Sequence, residues 1–144
     1  MKIKLESAEL PETEVIIRGD VTAEEVISLL QFLNNRGSRK LILFKEEEQH
    51  IVDTDEIVYL EVCGNKTYAY TKLDTYEAKQ KLYELKELLS AQSFAQISKS
   101  VIVNINYVKS IQAEFSGNYR LKLKNNKQTL TISRKYFKEF KDRI

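Results

Sequence analysis

The sequence predicts a mainly β protein of the α+β class with two or three short helices. Short segments in which apolar and polar residues alternate recur between residues 41 and 132, and turn-forming residues such as Gly64 and Gly117 separate several of them. Two stretches carry apolar residues at helical spacing instead. A chain of 144 residues fits one domain, or one domain with a small appendage, and can bury a core.

Residues 1–41 are predicted to form a short β-β-α extension used for packing or dimerisation. Met1–Glu6 and Glu14–Arg18 mix aliphatic and charged residues in the manner of short strands. Thr22 and Glu25 have the spacing of a capping box, and Gly37 is expected to follow the helix. The apolar helix face consists of Val26, Leu29, Leu30 and Leu33. We expect this face to cover the domain's own sheet, with a second copy of the chain as the alternative.

Residues 42–144 are predicted to form the main β domain. Residues 41–52 hold two apolar runs around a polar turn, as a hairpin would. The later predicted strands are Glu56–Glu61, Lys66–Thr71, Val101–Val103, Val108–Ala113, Tyr119–Lys124 and Gln128–Ile132. Turns are expected at Gly64-Asn65, at residues 116–118 and at Asn125-Asn126. Helices are expected at Thr75–Ala91 and, in a short form, at Arg134–Ile144. The first of these would carry an apolar stripe of Ala78, Leu82, Leu85 and Leu89.

The last 52 residues are strongly basic. Residues 93–144 contain eleven Lys or Arg and three acids, a net charge of +8, whereas residues 1–44 carry −1 and residues 45–92 carry −5. Charge concentrated in this way is typical of a surface that binds a polyanion. On charge alone, a solvated lysine-rich surface is an equally good interpretation.

Few residues could carry catalysis or hold a metal. With one cysteine, Cys63, and one histidine, His50, the chain cannot form an internal disulfide, a Cys-based metal cluster or a His-rich zinc site. It has no nucleophile elbow and no glycine-rich phosphate loop, and Glu46–Glu48 lack the spacing of a calcium loop. We therefore predict that the chain is not an enzyme and has no catalytic residue, metal, cofactor or small-molecule substrate.

Basic residues fall in two kinds of place. On the predicted strand from Tyr119, the side chains of Arg120, Lys122 and Lys124 point to one face, which suits contacts with phosphates. Other cations stand beside small hydrogen-bonding residues near predicted turns. These clusters are Asn65-Lys66-Thr67, Ser98-Lys99-Ser100 and Ser133-Arg134-Lys135. Such turns can enter a groove of duplex DNA, where Arg, Lys, Asn, Ser and Thr contact base edges and phosphates.

Three blocks of sequence occur in the order and spacing of a known family. They are EIVYLEVCGNKTYAYT at residues 56–71, FAQISKSVIVNINYVKSI at residues 94–111 and SGNYRLKLKNNKQTLTISRKYFKEFKDRI at residues 116–144. The family's motifs are matched within them by Phe94, Lys99 to Asn104, Val108 to Ile111, Gly117 to Leu123 and Ile132 to Tyr136. Over about residues 42–144 the chain resembles the LytTR (LytR/AlgR-type) DNA-binding domain.

The resemblance implies an elongated fold of stacked small β-sheets that reads successive major grooves of DNA with loops. It places the DNA contacts at Asn65, Lys66, Thr67, Ser98, Lys99, Arg134 and Lys135. The phosphate-contact candidates are Arg120, Lys122, Lys124 and Lys138. The chain departs from the family at two of these positions. Many members have histidine where Ser98 stands and arginine where Lys99 stands, and lysine cannot make the two-pronged contact of arginine.

Function and partners follow from this resemblance. We predict a cytoplasmic bacterial transcriptional regulator, similar to the response-regulator members of the family but of their short, receiver-less type. It would bind double-stranded DNA sequence-specifically. Such members are often paired with a small membrane protein, so that partner and a homodimer are both hypotheses. No apolar run approaches the roughly 20 residues of a membrane span, and the N-terminus lacks a signal-peptide core.

Two alternatives stay open. An RNA- or single-strand-binding module could stack bases on Tyr68, Tyr70 or Tyr119, although Tyr119 alternates away from the basic strand face. A protein-interaction domain without any DNA binding is the second alternative.

Overall fold

A computed structural model describes residues 1–35, 39–124 and 127–144, and it is mainly β with three short α-helices in those ranges. The strands are β1 Lys40–Lys45, β2 Glu48–Asp53, β3 Ile57–Cys63, β4 Lys66–Thr71, β5 Thr75–Ala78, β6 Phe94–Ser98, β7 Val101–Asn104, β8 Val108–Ala113, β9 Tyr119–Leu123 and β10 Thr129–Ile132. The helices are α1 Glu24–Asn35, α2 Leu82–Leu88 and α3 Phe137–Arg143. Short 3₁₀ turns occur at Thr54–Glu56, Ile105–Tyr107 and Arg134–Tyr136.

The strands form two antiparallel sheets. The larger sheet has the order β2-β1-β5-β4-β3-β7-β6, and the smaller has the order β10-β9-β8. Two apolar clusters divide the core. One includes Leu60 and Ile102 together with Leu85 of α2, and the other joins Val103 of the larger sheet to Leu121 of the smaller sheet and Phe140 of α3. The larger sheet therefore has an apolar cluster on both faces, which explains why Ile57 to Leu60 of β3 are all buried.

Tight hairpin turns match the predicted turn positions. The β1–β2 hairpin pairs Lys45 with Glu48 and leaves two residues, Glu46 and Glu47, in the turn. Both have positive φ, 50° and 66°, as a type I′ turn requires. Glu46 and Glu47 are exposed, in agreement with the polar turn predicted within residues 41–52. Gly64-Asn65 is also a two-residue turn and joins β3 to β4, but of these two residues only Gly64 has a positive φ, 64°.

The two predicted N-terminal strands are wrong. Residues 1–18 contain no strand, and Ile3 and Leu5 of the expected first strand are exposed. Apolar alternation alone does not make a strand when no neighbouring strand satisfies its backbone groups. The helix is correct, but it begins at Glu24, and the Thr22 hydroxyl donates to Asp20 Oδ1 at 2.6 Å.

The predicted apolar face of α1 is only partly covered. Val26 is buried, Leu29 and Leu33 are half-buried, and Leu30 is 43% exposed. Gly37 lies outside the described residues, as does the predicted turn at Asn125-Asn126.

The start of the second helix was also predicted wrongly. Thr75–Ala78 forms β5, which pairs with β4 from Thr67 to Tyr70, and α2 begins only at Leu82. The apolar stripe from Ala78 to Leu89 is buried as expected, because the strand and the helix contribute to the same cluster. A strand that was not predicted, β6, follows α2, whereas the strand Lys66–Thr71 and the C-terminal helix are confirmed.

Candidate nucleic-acid interface

The β3–β4 and β6–β7 turns lie side by side. Strands β3 and β7 pair antiparallel with Glu61 opposite Val101. One step further, the backbone N–H of Val62 donates to the carbonyl of Ser100 at 2.9 Å. Because β4, β3, β7 and β6 are neighbours about 4.8 Å apart, the turn carrying Lys66 and the turn carrying Lys99 emerge at one end of the sheet.

The third predicted cluster joins the other two. The backbone N–H of Ser133 donates to the carbonyl of Ile97 at 2.8 Å, so the segment after β10 lies beside the last residues of β6. Ser98 pairs with Val101, which leaves Lys99 and Ser100 as the two-residue turn. All three clusters thus converge on one end of the molecule. We call it the tip end, and it comprises Gly64 to Lys66, Ser98 to Ser100 and Ser133 to Lys135.

The β8–β9 loop, residues 114–118, belongs to the same end. The backbone N–H of Arg134 donates to Oδ1 of Asn118 at 3.1 Å. Gly117 adopts φ 89°, and a Cβ at this position would stand 3.4 Å from Cδ of Arg134, in ordinary van der Waals contact. The loop is therefore a fourth segment of the tip end, and sequence reasoning did not assign it to the site.

The opposite end of the β3–β4 hairpin gives a reference surface. It carries the turn from Thr71 to Asp74 and the 3₁₀ turn Ile105–Tyr107. Nζ of Lys72 lies 5.4 Å from the centre of the Tyr107 ring there. The seven residues of β3 separate the two ends by about 20 Å.

Most of the predicted DNA-contacting side chains are accessible at the tip end. Exposed side chains are Asn65, Lys66, Lys99, Arg134 and Lys135. Ser98 is half-buried. Thr67 is only 6% exposed, so the Thr67 side chain is buried. The accessible set is thus rich in cations and carries one side-chain amide. Such groups suit phosphates and base edges.

The basic strand face is present, but its members differ in position. Arg120, Lys122 and Lys124 are exposed, while Leu121 and Leu123 between them are buried. Arg120 forms an ion pair with Glu114 at 3.2 Å. Lys124 lies at the opposite end, where its backbone N–H donates to the carbonyl of Tyr107 at 2.7 Å. Only the first part of this face therefore continues from the tip end, and Lys138 is exposed in α3.

Cys63 is an exposed free thiol next to the β3–β4 turn. Its Sγ lies 3.7 Å from Oε1 of Glu61. Partial desolvation and the nearby Glu61 carboxylate both raise the pKa of this thiol. A raised pKa keeps the thiol protonated and slow to react at neutral pH.

One basic residue of the C-terminal region has a structural role that sequence reasoning missed. The guanidinium of Arg143 donates to three backbone carbonyls: Phe94 at 2.6 Å, Gln92 at 2.8 Å and Ser90 at 3.0 Å. These bonds hold the end of α3 against the start of β6. Part of the local positive charge therefore stabilises the fold, a role that only the tertiary structure shows.

The residues that the structure describes do not form a cluster suited to a metal ion. In the described ranges, no group of three or more His, Cys, Asp or Glu side chains is placed to hold a metal ion. None of the helices described has the length and apolar character needed to cross a lipid bilayer.

Comparison with known proteins identifies this arrangement. Residues 47–144 match the family model described as the LytTr DNA-binding domain. The chain belongs to the LytTR family. A chain described as the LytTr DNA-binding domain of a methyl-accepting/DNA response regulator from Bacillus cereus is similar in structure, with a TM-score of 0.66 and 26% identity over 74% of this chain and 95% of that one. The resemblance seen in the sequence is thereby confirmed, as is the mainly β, antiparallel fold.

Similar full-length sequences point to the same role. A Staphylococcus aureus protein from strain MSSA476 is 31% identical over 96% of this chain and 93% of its own length, and one from strain NCTC 8325 is 31% identical over 92% and 90%. Both are named HTH-type transcriptional regulators. This LytTR protein is accordingly a DNA-binding transcriptional regulator. No two helices follow one another across a short turn in the residues described here, so a helix-turn-helix is not seen in them.

Proposed function

We propose that this LytTR protein reads duplex DNA sequence-specifically by placing the turns of its tip end in the major groove. The observation that carries the proposal is the convergence of three cationic segments on one end, secured by the Val62–Ser100 and Ser133–Ile97 hydrogen bonds. A major groove about 12 Å wide admits a two-stranded β-ribbon. The tips of β3–β4 and β6–β7 are ribbons of this kind.

The cations divide between two tasks in this proposal. Lys66, Lys99, Arg134 and Lys135 lie at turns and are proposed to contact base edges together with Asn65 and Ser98. Arg120, Lys122 and Lys138 lie on a strand or helix surface and are proposed to contact phosphates, with Lys124 contributing least because of its place at the opposite end. Thr67 is buried on β4, an interior strand between β3 and β5, so the proposal assigns its side chain no direct contact with DNA. The proposal assigns no catalytic activity to the chain.

The positions of the aromatic rings favour duplex DNA over single-stranded nucleic acid as the ligand. Single-strand binding needs aromatic rings that are free to stack on bases. The Tyr119 ring already stacks on Phe137 with centroids 3.6 Å apart, and the Tyr70 ring stacks on Tyr59 at 4.4 Å. Burial also raises the pKa of Tyr59 to about 12, as expected for a core residue rather than a binding surface.

A competition experiment tests the proposal. Duplex selected by the wild-type protein from a random-sequence library should displace a labelled probe far better than either of its separated strands. Affinity should fall steeply as salt rises. Lys99→Ala should weaken binding, whereas Lys72→Ala, which removes one exposed lysine at the opposite end, should change it little. Equal competition by single strands, or an affinity that does not depend on salt concentration, would contradict the proposal.

We also propose a second copy of the chain as a partner, bound through the N-terminal extension. Leu30 of α1 and the apolar side chains Ile3 and Leu5 are exposed, and β2 is an edge strand of the larger sheet. Sedimentation should show a dimer that Leu30→Glu disrupts and that Leu73→Glu leaves intact. A monomer under all conditions would leave the small membrane protein suggested by the family resemblance as the candidate partner. The proposed location is the cytoplasm.

A further inference from the structure

Phe115 stands in an unusual place for an aromatic side chain. It is fully exposed, with a relative accessibility of 114%, and lies in the β8–β9 loop of the tip end. A single exposed apolar residue is ordinary on a protein surface. Leu73 at the opposite end, 92% exposed, is an example. What distinguishes Phe115 is its position, two residues from Gly117, which faces the side chain of Arg134.

The loop holds Phe115 in a defined position. The backbone N–H of Glu114 donates to the carbonyl of Asn118 at 2.9 Å, and that of Gly117 donates to the carbonyl of Glu114 at 3.1 Å. Asn118 in turn accepts from Arg134. The residues on both sides of Phe115 are therefore tied to each other and to the Arg134 segment. A side chain on such a loop loses little further backbone freedom when it is buried by a partner.

The surrounding charge indicates what that partner is. Arg134 and Lys135 are exposed beside the loop, and Arg120 pairs with Glu114, so the only acid of the loop is already neutralised. A cationic surface with one apolar projection complements a polyanion that also exposes an apolar group. Within the major groove of DNA, the apolar group is the C5 methyl of thymine, and phenylalanine is among the side chains that contact it.

We propose that Phe115 contacts a thymine methyl in the major groove and so sets a preference for thymine next to the base contacted by Arg134. This inference rests on the proposed DNA-reading function and adds to it a residue and a base. It requires no deformation of the DNA, because the methyl group projects into the groove. The expected loss on removing one buried methyl group is about fourfold in affinity.

The test replaces each thymine of the selected duplex in turn by deoxyuridine, which lacks only that methyl group. Wild-type protein should lose about fourfold in affinity at a particular thymine. Phe115→Ala should bind the duplexes with thymine and with deoxyuridine at that position equally well. The substitution and the missing methyl group remove the same contact, so their effects on affinity do not add. Leu73→Ala is the matched control and should keep the wild-type ratio. Its folding and that of Phe115→Ala should be unaltered, since both side chains are exposed.

Failure of the inference is distinct from failure of the proposed function. If wild-type protein binds the selected duplex but no thymine-to-deoxyuridine change weakens it, the contact with thymine does not exist. The same holds if Phe115→Ala retains the wild-type ratio at every position. If wild-type protein does not bind duplex DNA in a sequence-dependent manner at all, the proposed function itself is wrong.

Discussion

Arg134 and Asn118 are 16 positions apart in the chain, yet the backbone N–H of Arg134 donates to Oδ1 of Asn118 at 3.1 Å. This bond joins the β8–β9 loop to the segment that follows β10. It orients the backbone from which the Arg134 and Lys135 side chains project. Asn118 is therefore a positioning residue for the tip end.

Asn118→Ala should weaken DNA binding more than it weakens the fold. The exposed hydrogen bond contributes at most about 1 kcal/mol to stability, so the melting temperature should change little. Affinity for the selected duplex should fall by up to about fivefold, because the Arg134 segment must then be ordered on binding. Binding titrations and thermal unfolding measure the two effects. Asn106→Ala, an exposed asparagine at the opposite end, should change neither, and an affinity equal to wild type in Asn118→Ala would refute the positioning role.

Arg134→Ala and Lys122→Ala should change DNA binding in different ways. Loss of a base contact at Arg134 should cost about 1–3 kcal/mol on the selected duplex and relax the choice of base at one position. Loss of a phosphate contact at Lys122 should weaken all sequences evenly and lower the salt slope by about one unit. Titrations on the selected and a scrambled duplex at several salt concentrations separate them. A scrambled-to-selected affinity ratio unchanged in Arg134→Ala would show that its site was assigned wrongly.

Asn104 should prove to be structural, although it lies in one of the family's motifs. It is 2% exposed, its Nδ2 donates to the carbonyl of Ile57 at 2.9 Å, and its Oδ1 accepts from the N–H of Asn106 at 3.1 Å. Asn104→Leu would leave both backbone groups without this partner, at a cost of about 2–4 kcal/mol. Urea unfolding measures that loss. The variant, while folded, should keep the wild-type base preference, and a changed preference with unchanged stability would argue for a role in reading.

Cys63 should react slowly and be protected by DNA. The pKa of the thiol is raised, so the thiolate fraction at neutral pH is small and alkylation should accelerate only at a pH above the ordinary range for cysteine. Glu61→Gln removes the carboxylate that helps to raise the pKa of the thiol. The Cys63 thiol of this variant should therefore react faster than that of the wild-type protein at pH 7. The selected duplex should slow alkylation, since Cys63 adjoins the β3–β4 turn. Reaction rates that DNA does not alter would place the interface elsewhere.

Local sequence predicted the strands that have both alternation and clear turns. Lys66–Thr71 was predicted correctly because Gly64-Asn65 defines its start. Strand β6 was missed because it is short and begins with two adjacent buried residues, Phe94 and Ala95, so that little alternation is left in the segment. The apolar stripe from Ala78 to Leu89 was attributed to one helix, since a strand followed by a helix can bury the same residues.

The exposed cations of the tip end could be named from the sequence one by one, but their spatial arrangement could not. Lys66, Lys99 and Arg134 could be recognised from their motifs and their exposure near turns. Their convergence depends on pairing between distant parts of the chain, such as β3 with β7, and on the bond from Ser133 to Ile97. Local propensity carries no information about such pairing. The roles proposed for Asn118 and Phe115 rest on this arrangement.

We propose that the tip end of this LytTR protein, and not another surface, binds duplex DNA. Nuclear magnetic resonance of the labelled protein during titration with the selected duplex tests it most directly. We expect the backbone amide signals of Asn65, Lys66, Lys99, Arg134 and Lys135 to shift or broaden, while those of Leu73 and Asn106 at the opposite end stay in place. Changes centred on Leu73 and Asn106, with the tip-end amides unmoved, would contradict the account.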